Sequence, residues 1–358
     1  MDSLGPLCGG RDDACLEPRP KRARNLIINA AARTLLDSSH LGSKRQYAFR
    51  QQAYRLWCDA REYDYLDPSP TQLINYLADQ RTTKHLKSST LLTYTTAIIA
   101  MFPTDTQSNI RNSKIYQDFI KALRSNTILS PKHWSYDVTP AIQYLKSWGP
   151  NSALNKAQLT AKTCWLLAMA GFLRPSDLER VDLDATVVSS DKVLSLNIVA
   201  PKEKRQGQRV TKVITIHPHT DPLLCPVAVF EEYKQRIASS DCRTAHPLFP
   251  TIRLNRLLRS LQNHNTPIAA ERISKYIKQI MIKVGRPAQA PVPKARGLAA
   301  TLAAQAGVSV DNIIAHGSWS SRDIFEHYYR LSSATSTNFS VSTLDQQPRS
   351  RLTKCNVM

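Results

Sequence analysis

The chain has 358 residues, 42% of them hydrophobic, and 48 Lys+Arg against 28 Asp+Glu give it a formal net charge of +20. That length supports two domains with their own cores, and that apolar content excludes a wholly disordered chain. The charge selects a polyanionic partner, nucleic acid first, while the absence of a long apolar run or secretory h-region argues against a membrane protein.

The seven cysteines are scattered, with no Cys-x-x-Cys or Cys/His zinc spacing, so they read as reduced thiols in an intracellular protein with no metal site. Residues 1–25 lack periodicity and read as a disordered basic leader. Within it, Arg19-Pro20-Lys21-Arg22-Ala23-Arg24 has the pattern of a nuclear localisation signal, which predicts a nuclear protein.

Residues 26–126 read as a helical domain. Tyr47, Phe49, Tyr54, Leu56 and Trp57 punctuate a first helix. Ser69-Pro70-Thr71 opens a second with Leu73, Ile74, Tyr76 and Leu77 on its apolar face. Lys87-Ser88-Ser89 leads into a third carrying Leu91, Leu92, Tyr94, Ile98, Ile99 and Phe102, and a fourth runs over 115–123. Lys44, Arg45, Lys87 and Ser88 are of the types that contact DNA phosphates. Residues 127–136, with Pro131 and no clear period, read as a linker.

Residues 137–335 form a second, larger domain, mainly helical with one β interruption. Residues 193–199 and 210–216 are β-branched and alternating, and the polar stretch 200–209 between them contains Lys202, Lys204 and Arg205. This is a β-hairpin with a basic tip. Residues 336–358 read as a polar tail. The fold class is therefore mainly α with a small β-sheet, α+β, in two domains.

The chemistry-bearing residues lie in the second domain. Arg174 and Arg296 have planar, permanently charged forks suited to phosphate oxygens. Trp319 and then Tyr328-Tyr329-Arg330 follow, and a tyrosine hydroxyl can form a covalent phosphotyrosine. A hairpin lysine can protonate a departing oxygen.

Together these segments resemble the boxes of the tyrosine recombinase (phage integrase) family. Gly171-Phe172-Leu173-Arg174-Pro175-Ser176-Asp177 is similar to the first box, with Asp177 in its acidic place. Pro293-Lys294-Ala295-Arg296 is similar to the second, usually His-x-x-Arg. Gly317-Ser318-Trp319-Ser320-Ser321 is similar to the third, and the tyrosine follows. The Trp form and the ending Phe325-x-x-Tyr328-Tyr329-Arg330 most resemble recombinases of eukaryotic mobile elements, Crypton-type transposons above all. The resemblance covers roughly residues 40–335.

The resemblance implies a core-binding domain and a catalytic domain that clamp duplex DNA. It implies a recombinase or transposase that cleaves and rejoins DNA through a 3′-phosphotyrosyl link, without metal, ATP or cofactor, and a homotetramer on paired DNA sites. By it, Arg174, Lys202, Arg296, Trp319 and Tyr329 are catalytic, with Asp177 supporting. Tyr328 is the alternative nucleophile and Lys204 the alternative general acid. Lys44, Arg45, Lys87, Ser88, Lys204, Arg205 and Lys294 would contact DNA. Pro293 departs from the family, because proline replaces a proton-bearing histidine. Two rivals share much of this pattern: a host-adopted, catalytically impaired DNA-binding protein, and a type IB topoisomerase.

Overall fold

The computed structural model describes residues 41–125, 134–206 and 208–332, without the side chains of residues 41–46 and of Arg205. The basic leader, the tail beyond residue 332 and most of the linker region lie outside those residues, as do the side chains of Lys44 and Arg45. The chain divides into two compact units, Met1–Ser130 and Pro131–Met358.

The described part of the first unit is helical: α1 (Leu41–Asp59), α2 (Pro70–Lys84), α3 (Ser88–Ile99), α4 (Thr104–Asn112) and α5 (Lys114–Ser125). The Ser69 hydroxyl accepts the Gln72 N–H at 3.1 Å, and Pro70 occupies the first helical position, so α2 starts where its orphan donors are met. His85, in the left-handed region at φ 51°, ends it. Leu73, Tyr76 and Leu77 of α2 pack with Tyr54 and Trp57 of α1 and Leu91 and Ile98 of α3. Tyr54 and Tyr76 meet edge to face at 5.1 Å, and the Trp57 indole donates to Asp79 at 2.9 Å. The fourth helix expected over 115–123 is present as α5, and α4 precedes it as a separate helix. Ser113, extended at φ −62° and ψ 127°, breaks the two apart.

The second unit is built around α7 (Lys156–Ala170), which follows α6 (Thr139–Lys146) and a short 3-10 turn. Asn155 and Gln158 close a reciprocal capping box at its start. From Leu159 to Ala168 every residue of α7 is buried, which makes it the helix at the centre of a large core rather than a surface helix. α8 (Pro175–Leu178) follows directly. Then come β1 (Val187–Val188), β2 (Leu194–Arg205) and β3 (Gln208–Ile216), which make an antiparallel sheet in that order. α9 (Pro226–Arg236), the small pair β4 (Arg243–Ala245) and β5 (Arg253–Asn255), and α10 (Ala270–Met281) come next. α10 is amphipathic and buries Ile273, Tyr276, Ile277, Ile280 and Met281. α11 (Ala295–Gln305), α12 (Val310–Gly317), the short α13 (Arg322–Ile324) and a π-helical turn (Phe325–Tyr329) finish the described chain.

The fold is α+β and mainly helical. The hairpin differs from its sequence reading in one respect: 200–209 is mostly strand, not turn. Pairing runs from Leu194↔Ile216 to Val199↔Thr211, then slips and resumes at Lys204↔Arg209. The Arg209 guanidinium donates to the carbonyls of Pro201 (2.8 Å) and Lys202 (3.1 Å), so the strand survives the interruption. Such a slip is a β-bulge, and bulges re-aim side chains.

The α2 cap gives a direct test of how the first unit is held. Ser69→Ala should lower the unfolding free energy by about 1 kcal/mol in urea denaturation, and Ser69→Asp should restore most of it.

Candidate active site

Arg174 emerges where α7 ends. Gly171 closes the helix, Phe172 turns back at φ +49°, and Pro175 starts α8 at once. Asp177 accepts the Arg174 backbone N–H at 3.0 Å and lies 3.6 Å from its Nη1. The Asp177 side chain is fully buried.

Arg296 sits in the first turn of the Ala-rich α11 and is 3% exposed. Its Nη1 lies 3.5 Å from Asp177 Oδ2, and its Nη2 donates 2.7 Å to the Gly317 carbonyl. One carboxylate, Asp177, therefore fixes both guanidiniums. Two like charges this close need that opposite charge between them.

Gly317 ends α12, and Ser318 turns in the left-handed region at φ 52°. A Cβ on Gly317 would lie 2.3 Å from the Trp319 ring, so glycine is required by the approach of the indole. Trp319 is buried. The Arg296 guanidinium lies 4.7 Å from its ring centroid, and the Tyr329 ring packs on it at 4.8 Å. The buried indole Nε1 has no partner of full hydrogen-bond geometry among the described residues, although it helps to lower the Tyr329 pKa.

Tyr329 closes the π-helical turn, a local widening that recurs at functional sites. The Thr301 hydroxyl accepts the Leu331 N–H at 2.8 Å, and its one proton is shared between the Gly297 carbonyl at 2.8 Å and, more weakly, the Tyr329 carbonyl at 3.3 Å. The tyrosine backbone is thus tied to α11. Its hydroxyl accepts from Arg174 Nη2 at 2.9 Å, and Arg296 lies 5.0 Å from its ring centroid. Burial pushes the phenol pKa up, but the two guanidiniums and the Arg174 hydrogen bond outweigh it and leave the hydroxyl more acidic than usual. Tyr328 is 69% exposed, with the His327 ring 5.5 Å from its own. His316 hydrogen-bonds the Ala170 carbonyl through Nε2 at 2.8 Å and packs on Phe172, a structural arrangement.

The structure thus brings Arg174, Asp177, Arg296, Trp319 and Tyr329 together. Lys202 and Lys204 are exposed, and Lys204 pairs with Arg209 along the hairpin. Lys294 is exposed beside buried Pro293, and Lys87 is exposed at the start of α3 with Ser88 half-buried next to it. The Arg205 side chain lies outside the described residues.

Two residues absent from the sequence reading enter the site. Glu203 of β2 has its Oε1 at 2.5 Å from Arg174 Nη1 and 3.2 Å from Arg296 Nη2. Burial works to raise its pKa, but the two arginines hold it below the usual carboxylate value. Lys212 of β3 is 5% exposed, and its Nζ lies 3.4 Å from the same Gly317 carbonyl that Arg296 uses. Burial, then Arg296, lower its pKa from 10.5 to about 8. Among the described residues no cluster of His, Cys, Asp and Glu could hold a metal ion.

No family model matches the chain, and no curated protein matches it. Solved structures do. The integrase of the Tn1549 transposon, in complex with transposon right-end DNA, aligns over 90% of this chain and 94% of its own, at 12% identity and a TM-score of 0.52. A lambda integrase dimer bound to a COC′ core site aligns over 84% and 75%, at 13% identity and a TM-score of 0.49. XerA recombinase aligns over 89% and 97%, at 12% identity and a TM-score of 0.38. At a TM-score of 0.52 this chain shares the fold of the Tn1549 integrase.

Lys212 makes the electrostatics measurable. Its folded pKa lies below its unfolded one, so the folded chain resists that proton, and stability rises as pH climbs from about 8 toward 10.5. Lys212→Met should therefore raise the unfolding free energy at pH 7 by up to about 3 kcal/mol, at 1.36 kcal/mol per pKa unit. The gain should fade between pH 8 and 10 in denaturant titrations.

Proposed function

We propose that this protein is a tyrosine recombinase that cleaves and rejoins double-stranded DNA through a 3′-phosphotyrosyl intermediate. One observation carries the reading: a tyrosine hydroxyl 2.9 Å from one guanidinium, with a second guanidinium 5.0 Å from its ring. Arg174 and Arg296 would bind the two non-bridging oxygens of the scissile phosphate and stabilise their charge as phosphorus becomes five-coordinate. Asp177 would hold both arginines, and Trp319 would present its N–H to a phosphate oxygen.

The Tyr329 oxygen attacks phosphorus and its proton leaves to solvent. The bond from phosphorus to the 5′ oxygen breaks, and a lysine protonates that oxygen. Rejoining reverses the steps with another 5′ end, so the phosphotyrosyl link conserves the bond energy. By the resemblance the proton donor is Lys202, with Lys204 as its alternative. Lys212 competes for the role because it is the lysine already buried beside Arg296.

The +20 charge favours DNA binding that weakens steeply with salt. Assembly as a homotetramer on paired sites, descent from a Crypton-type mobile element and nuclear targeting through residues 19–24 complete the proposal. A second reading, a DNA-binding protein that no longer cleaves, draws on Pro293, which is buried where the family has histidine and offers no proton.

A nicked duplex substrate, which traps the covalent step, separates these readings. A protease-sensitive, SDS-stable adduct should form, survive Tyr328→Phe and vanish in Tyr329→Phe. Tight binding to the element's own ends without any adduct would favour the non-cleaving reading. The proton donor is found with a substrate whose 5′-bridging oxygen is replaced by sulfur, since a thiolate leaves without an acid. Lys202→Ala should lose roughly 100-fold or more on the oxygen substrate, within the range of general acid catalysis, and recover on the sulfur one. If Lys212→Ala shows that recovery instead, the role belongs to Lys212.

A further inference from the structure

We propose that Glu203 is an internal competitor for the scissile phosphate: its carboxylate holds the two-arginine site until a DNA phosphate displaces it, and only then does Lys202 turn inward. The proposal rests on reading this site as a phosphate site.

The parity of β2 supplies the first argument. Leu194, Leu196, Ile198 and Ala200 are buried, so even-numbered residues face the core. Unbroken alternation would carry Lys202 inward and Glu203 outward. The slip between Val199 and Lys204 reverses that order, so the Glu203 side chain turns inward, 9% exposed, and Lys202 and Lys204 are exposed. Glu203-in and Lys202-in are therefore alternative states of one strand.

The bulge also carries strain that a rearrangement could release. Ala200, inside the slip, sits at φ +45° without the freedom of glycine.

Charge supplies the second argument. Arg174, Arg296 and Lys212, with the buried Arg180 beside them, face Asp177 and Glu203, which leaves the site net positive. A phosphodiester carries one negative charge, as Glu203 does. Exchanging them keeps the balance, so the guanidiniums never face each other with only Asp177 between them.

The third argument is fit. Glu203 leaves Arg296 Nε and its own Oε2 buried without hydrogen-bond partners, and Trp319 Nε1 without one of full geometry. A buried unmet polar group is costly. A planar carboxylate thus uses part of a donor set that a tetrahedral oxyanion could use more fully, and its departure frees Oε2 to reach water.

The test titrates the full-length chain with inorganic phosphate by calorimetry at constant ionic strength, comparing wild type, Glu203→Gln and Glu203→Ala. Both variants should bind phosphate about tenfold tighter, because a site occupied by its own side chain is only fractionally open. Adding Arg174→Ala to Glu203→Ala should abolish that binding. Phosphate affinity unchanged or weaker in the Gln variant, which keeps the side chain's shape, would overturn the proposal. Glu203 would then be organising the arginines rather than blocking them.

The nicked-duplex reaction run alongside keeps the two readings apart. A phosphate gain with no adduct in any chain would sink strand cleavage and leave the competitor standing. An adduct in wild type with no phosphate gain in the variants would sink the competitor alone. Both together, with faster adduct formation in Glu203→Gln, is the expected result.

Discussion

The second unit's site depends on keeping a nearly inaccessible guanidinium charged. Arg296 is 3% exposed, and a buried cation is tolerated only when it is paired and hydrogen-bonded. Asp177, Glu203 and the Gly317 carbonyl meet that need, and each draws in another element. Asp177 brings α8 and with it Arg174. Gly317 brings the end of α12, where the lack of a side chain lets Trp319 fold back over the arginine. Glu203 brings the hairpin. The positions of Arg174, Trp319 and β2 follow from the solvation of one charge.

The same constraint explains the acidity of Tyr329. Its backbone lies against Thr301 on α11, the helix that carries Arg296, and its hydroxyl is held by Arg174. A phenol among apolar rings would be hard to ionise. This one has Phe325 and Trp319 nearby, yet the arginines dominate.

Much of this was legible in the sequence, and the exceptions have physical causes. The helices of the first unit and the hairpin strands follow from hydrophobic period. The arginines, the tryptophan and the tyrosine follow from residue chemistry in a recognisable order. Lys212 left a readable sign, because it shares strand parity with Ile214 and Ile216, and a lysine on the apolar face of a strand needs an explanation. Glu203 left none. Its inward position comes from a bulge held by Arg209, and no local pattern in 200–205 marks where the register slips. Pattern reading assumes unbroken alternation, and one slipped residue exchanges the two faces of the strand.

That exchange bears on how lysine chemistry could be timed. A protonated lysine held permanently between two guanidiniums would add repulsion to a site already rich in positive charge. A lysine that enters only with a phosphate would meet a compensating anion on arrival. Lys212 shows the cost of permanent residence, since burial and Arg296 lower its pKa to about 8. Lys202, on the outer face of the bulge, stays in solvent. Electrostatics alone thus favours a mobile donor when the phosphate is the anion that completes the site, since Lys212 bears the cost of residence even with Glu203 in place.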